Sequence, residues 1–115
     1  MSNGDTMGPN ETIDNLLLEL RRGMIVLAVL SQLKQEQYGY SLINHLKENG
    51  LEIDQGTLYP LLRRLEAQNL LQSDWRIEAG RPRRYYVINS EGQTMLAQLI
   101  KEWKNIVTLM DRMLN

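Results

Sequence analysis

The 115-residue sequence has no cysteine and one histidine. Without thiols there is no disulfide, no thiolate metal site and no cysteine nucleophile. A lone histidine leaves no multi-histidine metal site or catalytic pair within one chain, and no cofactor is expected. Long apolar runs are also missing. The longest, Met24 to Leu30, has seven residues, against the roughly 20 needed to cross a bilayer. Nor is there a large excess of one charge: the net charge is −1 and the pI about 5.8, unlike the basic balance of many DNA-binding domains. The first twelve residues are polar and acidic, the opposite of a secretory or transit signal. These absences predict a soluble cytoplasmic protein of one-domain size, with no membrane partner.

What charge there is lies unevenly. Residues 1–20 carry Asp5, Glu11, Asp14 and Glu19 and no base, a local sum of −4. Residues 55–88 carry six bases against three acids, a local sum of +3, and all six are arginine. Arginine's planar fork suits phosphate and base-edge contacts better than a lysine ammonium.

Residues 1–10, with Gly4, Gly8 and Pro9 among polar neighbours, read as a flexible tail. From Glu11 to about Lys34 the pattern is helical, with apolar positions at Ile13, Leu16, Leu17, Leu20, Met24, Leu27, Ala28 and Leu30 and a candidate break at Gly23. Gln35 to Gln37 form a polar interruption. A second helix is expected from Gly39 to Glu48, stopped by Gly50. A third should cover Gln55 to Gln68 behind an Asp54 cap, with Leu58, Leu61, Leu62 and Leu65 on one face. Pro60 fits this helix only near its first turn or with a local kink, since an interior proline costs about 3 kcal/mol. Leu70 to Ile77 and Arg84 to Ile88 read as strands around a basic turn, Glu78 to Pro82. Ser90 is the expected cap of a last helix running to about Leu114.

That last helix carries Leu96, Trp103 and Met110 at intervals of seven, and Leu99, Ile106 and Met113 likewise, with Ile100, Val107 and Leu114 widening the stripe. About 24 residues make a helix roughly 36 Å long, more than one flank of a small core can cover. The stripe predicts a homodimer through Leu96, Leu99, Trp103, Ile106, Met110 and Met113.

Helix, helix, helix, strand, basic turn, strand is the order of a winged helix-turn-helix. The fold expected is mainly α with a small β-hairpin wing: a DNA-binding domain over residues 11–90, then a dimerisation helix over 91–115. The third helix would enter the major groove and the wing would touch backbone or minor groove. Four motifs sharpen this reading. Gly56-Thr57-Leu58-Tyr59-Pro60-Leu61-Leu62-Arg63-Arg64-Leu65-Glu66 resembles the recognition helix of the PadR-like family of bacterial transcriptional regulators. Gly80-Arg81-Pro82-Arg83-Arg84-Tyr85-Tyr86 followed by Gly92 is similar to that family's wing and the start of its last helix. Tyr38-Gly39-Tyr40 and Leu20-Arg21-Arg22-Gly23 resemble its openings of the second and first helices. The resemblance spans residues 18–115. Asn69 stands where the family usually has glycine, and asparagine is the next-best left-handed cap. The family also carries Tyr-Pro inside its recognition helix, which accounts for Pro60.

The expected DNA-contacting residues are Tyr38, Gln55, Thr57, Tyr59, Arg63, Arg64, Arg81 and Arg83, on double-stranded DNA. Tyr59 and Arg63 should share an exposed face; Arg63 could instead pair with Glu66, and Arg84 could pair with an acid. Trp75 reads as wing support. His45 reads as a surface or packing residue. No nucleophile–base pair or phosphate-cradling glycine loop appears, so no enzyme is expected. Trp103, with Leu99 and Ile100, either packs the dimer or binds a planar aromatic effector, a ligand class the family resemblance implies. The whole reading is a ligand-responsive repressor acting on a pseudo-palindromic operator; the alternative is a winged-helix protein-interaction module without DNA binding.

Overall fold

The computed structural model describes residues 8–115, and the expected tail lies largely outside them. The elements are α1 (Pro9–Gln32), β1 (Gln37–Tyr38), α2 (Gly39–Glu48), α3 (Gln55–Ala67), β2 (Leu71–Glu78), β3 (Arg81–Ile88) and α4 (Ser90–Leu114). The result is four helices and a small antiparallel sheet of order β1-β3-β2, mostly helical with a β wing, as the sequence predicts.

Helix α1 starts at Pro9, whose fixed φ and missing N–H suit the first helical position. It runs unbroken through Gly23, so the candidate break is not one. One glycine costs roughly 1 kcal/mol relative to alanine, and the strong helix formers around it absorb that. The two halves of α1 differ in burial. Val29 and Leu30 are fully buried, whereas Ile13, Leu16, Leu17 and Leu20 are exposed, Leu20 at 77%. The polar interruption after α1 is partly a strand: Gln37 and Tyr38 pair with Tyr86 and Tyr85.

The core joins Leu30 and Leu33 of the first segment to Leu42 and Leu46 of α2, the four leucines of α3, Leu71, Tyr86, Ile88 and Leu96. Asn69, with φ 62°, is the left-handed stop after α3, and its backbone N–H donates to the Glu66 carbonyl at 2.9 Å. The hairpin is longer and tighter than the sequence reading had it. Ala79 and Gly80 alone make the turn, both with positive φ (51° and 76°), the geometry that matches strand twist in a two-residue loop. Arg81 and Pro82 therefore lie in β3, opposite Glu78 and Ile77.

Asn89, not Ser90, caps α4. Its Oδ1 accepts from the Gly92 N–H at 2.8 Å, and its Nδ2 donates to the Asn69 carbonyl at 3.0 Å. The side chain one residue earlier reaches the third backbone N–H of the helix, which Ser90 cannot do from within the helix. Gly92 is required for close approach: a Cβ there would overlap the Leu70 carbonyl and the Ile88 side chain. Leu96 is 3% exposed. It belongs to this chain's own core, which corrects its assignment to a dimer interface. Leu99 and Ile100 lean on the same core, and from Lys101 onward every residue is exposed. The free halves of α1 and α4 thus project beside each other as an arm, and the molecule measures 54 × 35 × 26 Å. Among the described residues no helix is long and apolar enough to cross a membrane.

Candidate nucleic-acid interface

Helix α3 is capped as the sequence predicts: Asp54 Oδ1 accepts from the Thr57 N–H at 2.8 Å. That bond holds the Asp54 carboxyl below its ordinary pKa. Leu58, Leu61, Leu62 and Leu65 face the core, leaving Gln55, Thr57, Pro60, Arg63 and Arg64 exposed on the other side. Pro60 is the sixth residue of the helix, beyond its first turn. It supplies no N–H to the Gly56 carbonyl, yet the helix continues. Tyr59 is less free than expected. It is half-buried, and its ring lies so close to Gly39 that a Cβ there would overlap it. The glycine of Tyr38-Gly39-Tyr40 is the seat of the Tyr59 ring.

The wing has two faces with different chemistry. On one, Arg76 and Arg83 sit directly opposite each other, an unfavourable like-charge pair unless each is otherwise held. Both are. Arg76 makes a two-pronged bridge to Glu36 at 2.6 Å per prong, bonds Asp74 at 3.1 Å, and lies 4.4 Å over the Tyr85 ring. The Tyr85 hydroxyl donates to Glu78. Tyr85 meets Tyr38 edge-on at 5.5 Å, and Arg83 caps Tyr38 at 4.5 Å. The hydrogen bonds from Arg76 lower the pKa of Glu36, and the Glu78 carboxylate raises that of Tyr85. On the other face Arg84 bonds Glu66 at 2.7 Å and the Ser73 hydroxyl at 2.9 Å, tying the wing to α3. Glu66 is therefore engaged by Arg84, as an acid partner for Arg84 was expected, and is not the partner of Arg63.

The six arginines of residues 55–88 divide cleanly. Arg76, Arg83 and Arg84 are held by carboxylates or aromatic rings. Arg63, Arg64 and Arg81 are exposed and make no ion pair among the described residues. Between α3 and the wing lies an open cleft of about 400 Å³, walled by Tyr59, Arg63, Trp75, Pro82 and Arg83. The structure thus brings together Tyr38, Tyr59, Arg63 and Arg83 around one cleft, with Gln55, Thr57 and Arg64 outward on α3 and Arg81 at the wing tip. Tyr38 is held within a stack, while Tyr40 is the exposed tyrosine of the pair. Trp75 is 65% exposed, so it is not the wing support expected of it.

The second expected site lies on the arm. A groove of about 670 Å³ runs between α1 and α4, lined by Leu20, Met24, Leu99, Trp103, Ile106 and Met110. Leu99 and Trp103 line it; Ile100 does not. The contribution of α1 was missed, although Ile13, Leu16, Leu17 and Leu20 were visible as an apolar series. The Glu36–Arg76 bridge was also missed, because its partners lie 40 residues apart and no local pattern joins them. His45 is exposed on α2, its Nδ1 sharing a hydrogen bond with Gln37 Oε1.

Comparison with known proteins agrees with this architecture. Residues 26–98 match the PadR-like family of transcriptional regulators. A PadR family transcriptional regulator from Eggerthella lenta superposes with a TM-score of 0.86 at 40% identity, covering 92% of this chain and 95% of that one. A PadR-like transcription factor from Bacteroides fragilis gives a TM-score of 0.73 at 34% identity, over 86% and 98% of the two chains. A transcriptional regulator of Mycobacterium tuberculosis is 37% identical over 81 residues, 70% of this chain and 76% of its own length. The capped third helix, the arginine-bearing wing and these likenesses together place the chain in the PadR-like family of transcriptional regulators, DNA-binding proteins and not enzymes.

Proposed function

We propose that the protein is a homodimeric, sequence-specific repressor whose two α3 helices read a pseudo-palindromic operator. The division of the arginines carries this reading. Arg76 and Arg84 are ion-paired within the protein and Arg83 rests on the Tyr38 ring, while Arg63 and Arg64 on α3 and Arg81 at the wing tip are exposed and make no ion pair among the described residues. Arg63 and Arg64, with Gln55 and Thr57, face the major groove, which a helix fits. Tyr38 and Tyr59 border the groove edge, and Arg81 and Arg83 meet flanking phosphates. Two copies join through the exposed apolar halves of α1 and α4, including Leu99, Trp103, Ile106, Met110 and Met113. The half-sites then lie about 10–10.5 bp apart, or a multiple of that.

The arm groove is the seat of a planar aromatic effector. Its volume lies within the roughly 300–1,000 Å³ of ligand pockets, and Trp103 offers a flat indole face. A ligand that prefers one separation of the two heads shifts DNA affinity.

Selection of bound duplexes from a random pool at near-physiological salt tests the main reading. A two-fold symmetric site is expected, and Arg63→Gln should weaken binding to it by about 10- to 100-fold. Absence of any enriched duplex with the dimeric protein overturns it in favour of a protein-interaction module. Trp103 emission and melting temperature indifferent to a panel of planar aromatics would remove the effector site alone.

A further inference from the structure

The cleft between α3 and the wing gathers most of the aromatic side chains of this protein. Four of the five tyrosines and one of the two tryptophans line it. Trp75 and Tyr40 are exposed there, at 65% and 56%. Tyr86 is the opposite case: it is 7% exposed and belongs to the core. Its hydroxyl makes no hydrogen bond among the described residues, yet it is not sealed in, since no fully buried polar atom lacks a partner. Burial raises the pKa of this hydroxyl above its ordinary value, so it is protonated at neutral pH. Tyr86 is thus a donor held in place by its own ring, with no acceptor in this chain.

The walls of the cleft identify what it accepts. Aromatic rings alone would suit a cation. The charge reverses that preference: Arg63, Arg83 and Arg84 line the cleft, and no aspartate or glutamate does. Arg84 is answered by Glu66, whereas Arg63 and Arg83 make no ion pair among the described residues. Gly39 and Tyr40, the first two residues of α2, also line the cleft. No side chain caps that helix start and no acid lies in its first turn, so its positive end favours an anion. The volume of about 400 Å³ lies within the roughly 300–1,000 Å³ of ligand pockets. A neutral apolar molecule would leave the arginines unanswered, and a bare inorganic ion would leave the rings uncovered. The groove on the arm is different, because Glu102 and Asp111 are in its lining.

We propose that this cleft binds a planar aromatic anion, a ring system bearing a carboxylate or a phosphate. The ring packs on Trp75 and Tyr40. The anionic group meets Arg63 and the start of α2, and the Tyr86 hydroxyl donates to it. Arg63 serves either the operator or this ligand, never both at once. The ligand therefore displaces DNA by direct competition, whereas an effector on the arm acts from a distance. Occupancy of the cleft is independent of the DNA-binding reading; the competition rests on it.

Calorimetry on the full-length protein with naphthoate, naphthyl phosphate and uncharged naphthamide supplies the test. One of the two anions should bind, and the amide should bind at least about tenfold more weakly. The tighter anion identifies the group the cleft prefers. Tyr86→Phe keeps the ring and removes the donor, and should weaken binding about tenfold. Trp75→Leu should weaken it by about three- to tenfold, with an unchanged melting temperature because Trp75 is mostly exposed. Trp103→Leu, on the arm, should leave anion binding as it is. Tyr86→Phe should also bind operator like the parent when no anion is present. With operator added, the apparent Kd for DNA should rise in proportion to anion concentration, and a plateau would overturn the competition. Binding lost in Trp103→Leu but kept in Tyr86→Phe and Trp75→Leu would put the ligand on the arm and overturn the cleft site. So would a parent protein that takes up neither anion. A protein that binds an anion through Tyr86 and Trp75 but binds no duplex keeps the site and overturns the DNA-binding reading instead.

Discussion

The arm and the head of this molecule expose opposite kinds of surface. The arm, made of the first half of α1 and the second half of α4, presents Leu16, Leu20, Trp103, Ile106 and Met110 to solvent. The head, built from α2, α3 and the wing, buries its leucines and presents arginine, with Tyr40, Trp75 and Ile77 as its exposed apolar exceptions. Apolar exposure on that scale is stable only when something covers it, and the matching stripes on two helices suit a second copy of the same arm. Exposed unpaired arginine carries no such cost, since water solvates it, so its meaning rests on its grouping. The two regions teach different inferences: an uncovered apolar face signals assembly, whereas a selective absence of ion pairs signals an anionic ligand.

The comparison can be broken most directly in the arm. Ile106→Asp places a charge in the proposed interface and should abolish self-association, because an unpaired buried charge costs several kcal/mol. Sedimentation should then return a single-chain mass of 13.4 kDa, with operator affinity falling by at least about 100-fold as two linked heads become one. A dimer that persists would assign the arm's apolar surface to another partner. Next in size is the joint between the regions. Gly92→Ala forces a Cβ against the Leu70 carbonyl and Ile88 and should cost about 1–3 kcal/mol of stability, lowering the melting temperature without changing either surface.

Two smaller effects sharpen the description of the head. Asp54 is held as a carboxylate by its cap bond, so its folded pKa lies below its unfolded one. Its contribution is complete above about pH 4 and is lost as pH falls through the depressed value. The melting-temperature gap between the parent and Asp54→Ala should therefore be largest near neutrality and shrink in acid. Ala79 holds a left-handed φ of 51° in the wing turn. Ala79→Gly should relieve local strain and raise stability by no more than about 1 kcal/mol, visible as a small upward shift in melting temperature with DNA affinity unchanged.

The helices and hairpin were legible because their signals are local: Asp54 before a leucine stripe, Gly50 and Asn69 as stops, alternation around Ala79 and Gly80. Leu96 was misread because the heptad stripe of α4 serves two partners in succession, its own core first and solvent-exposed arm afterwards. Periodicity reports an apolar face, not what meets it. Strand β1 escaped notice because two residues are too few to show alternation. In the site, Arg63 and Arg81 stood out by type and position. The engagement of Arg76 by Glu36, and of Glu66 by Arg84 instead of Arg63, depends on tertiary distances that no spacing encodes. Trp75 was mistaken for wing support because a strand tryptophan usually finds a core, and here the core ends before the strand does.

Asn89 is the only residue between β3 and α4. It caps α4 through Gly92 and holds the end of α3 through the Asn69 carbonyl, while Asn69 reaches Glu91 at 2.5 Å. One short corner thus clamps the wing's return strand, α3 and the arm. There is no swivel between them. In an assembly joined by the arms, the angle at which paired arms cross would act as a protractor for the heads, and a fraction of a turn in α4 would be transmitted to both α3 helices as a rigid rotation. Operator spacing would then be written into arm packing, and a substitution far from any DNA contact could change which spacing is tolerated.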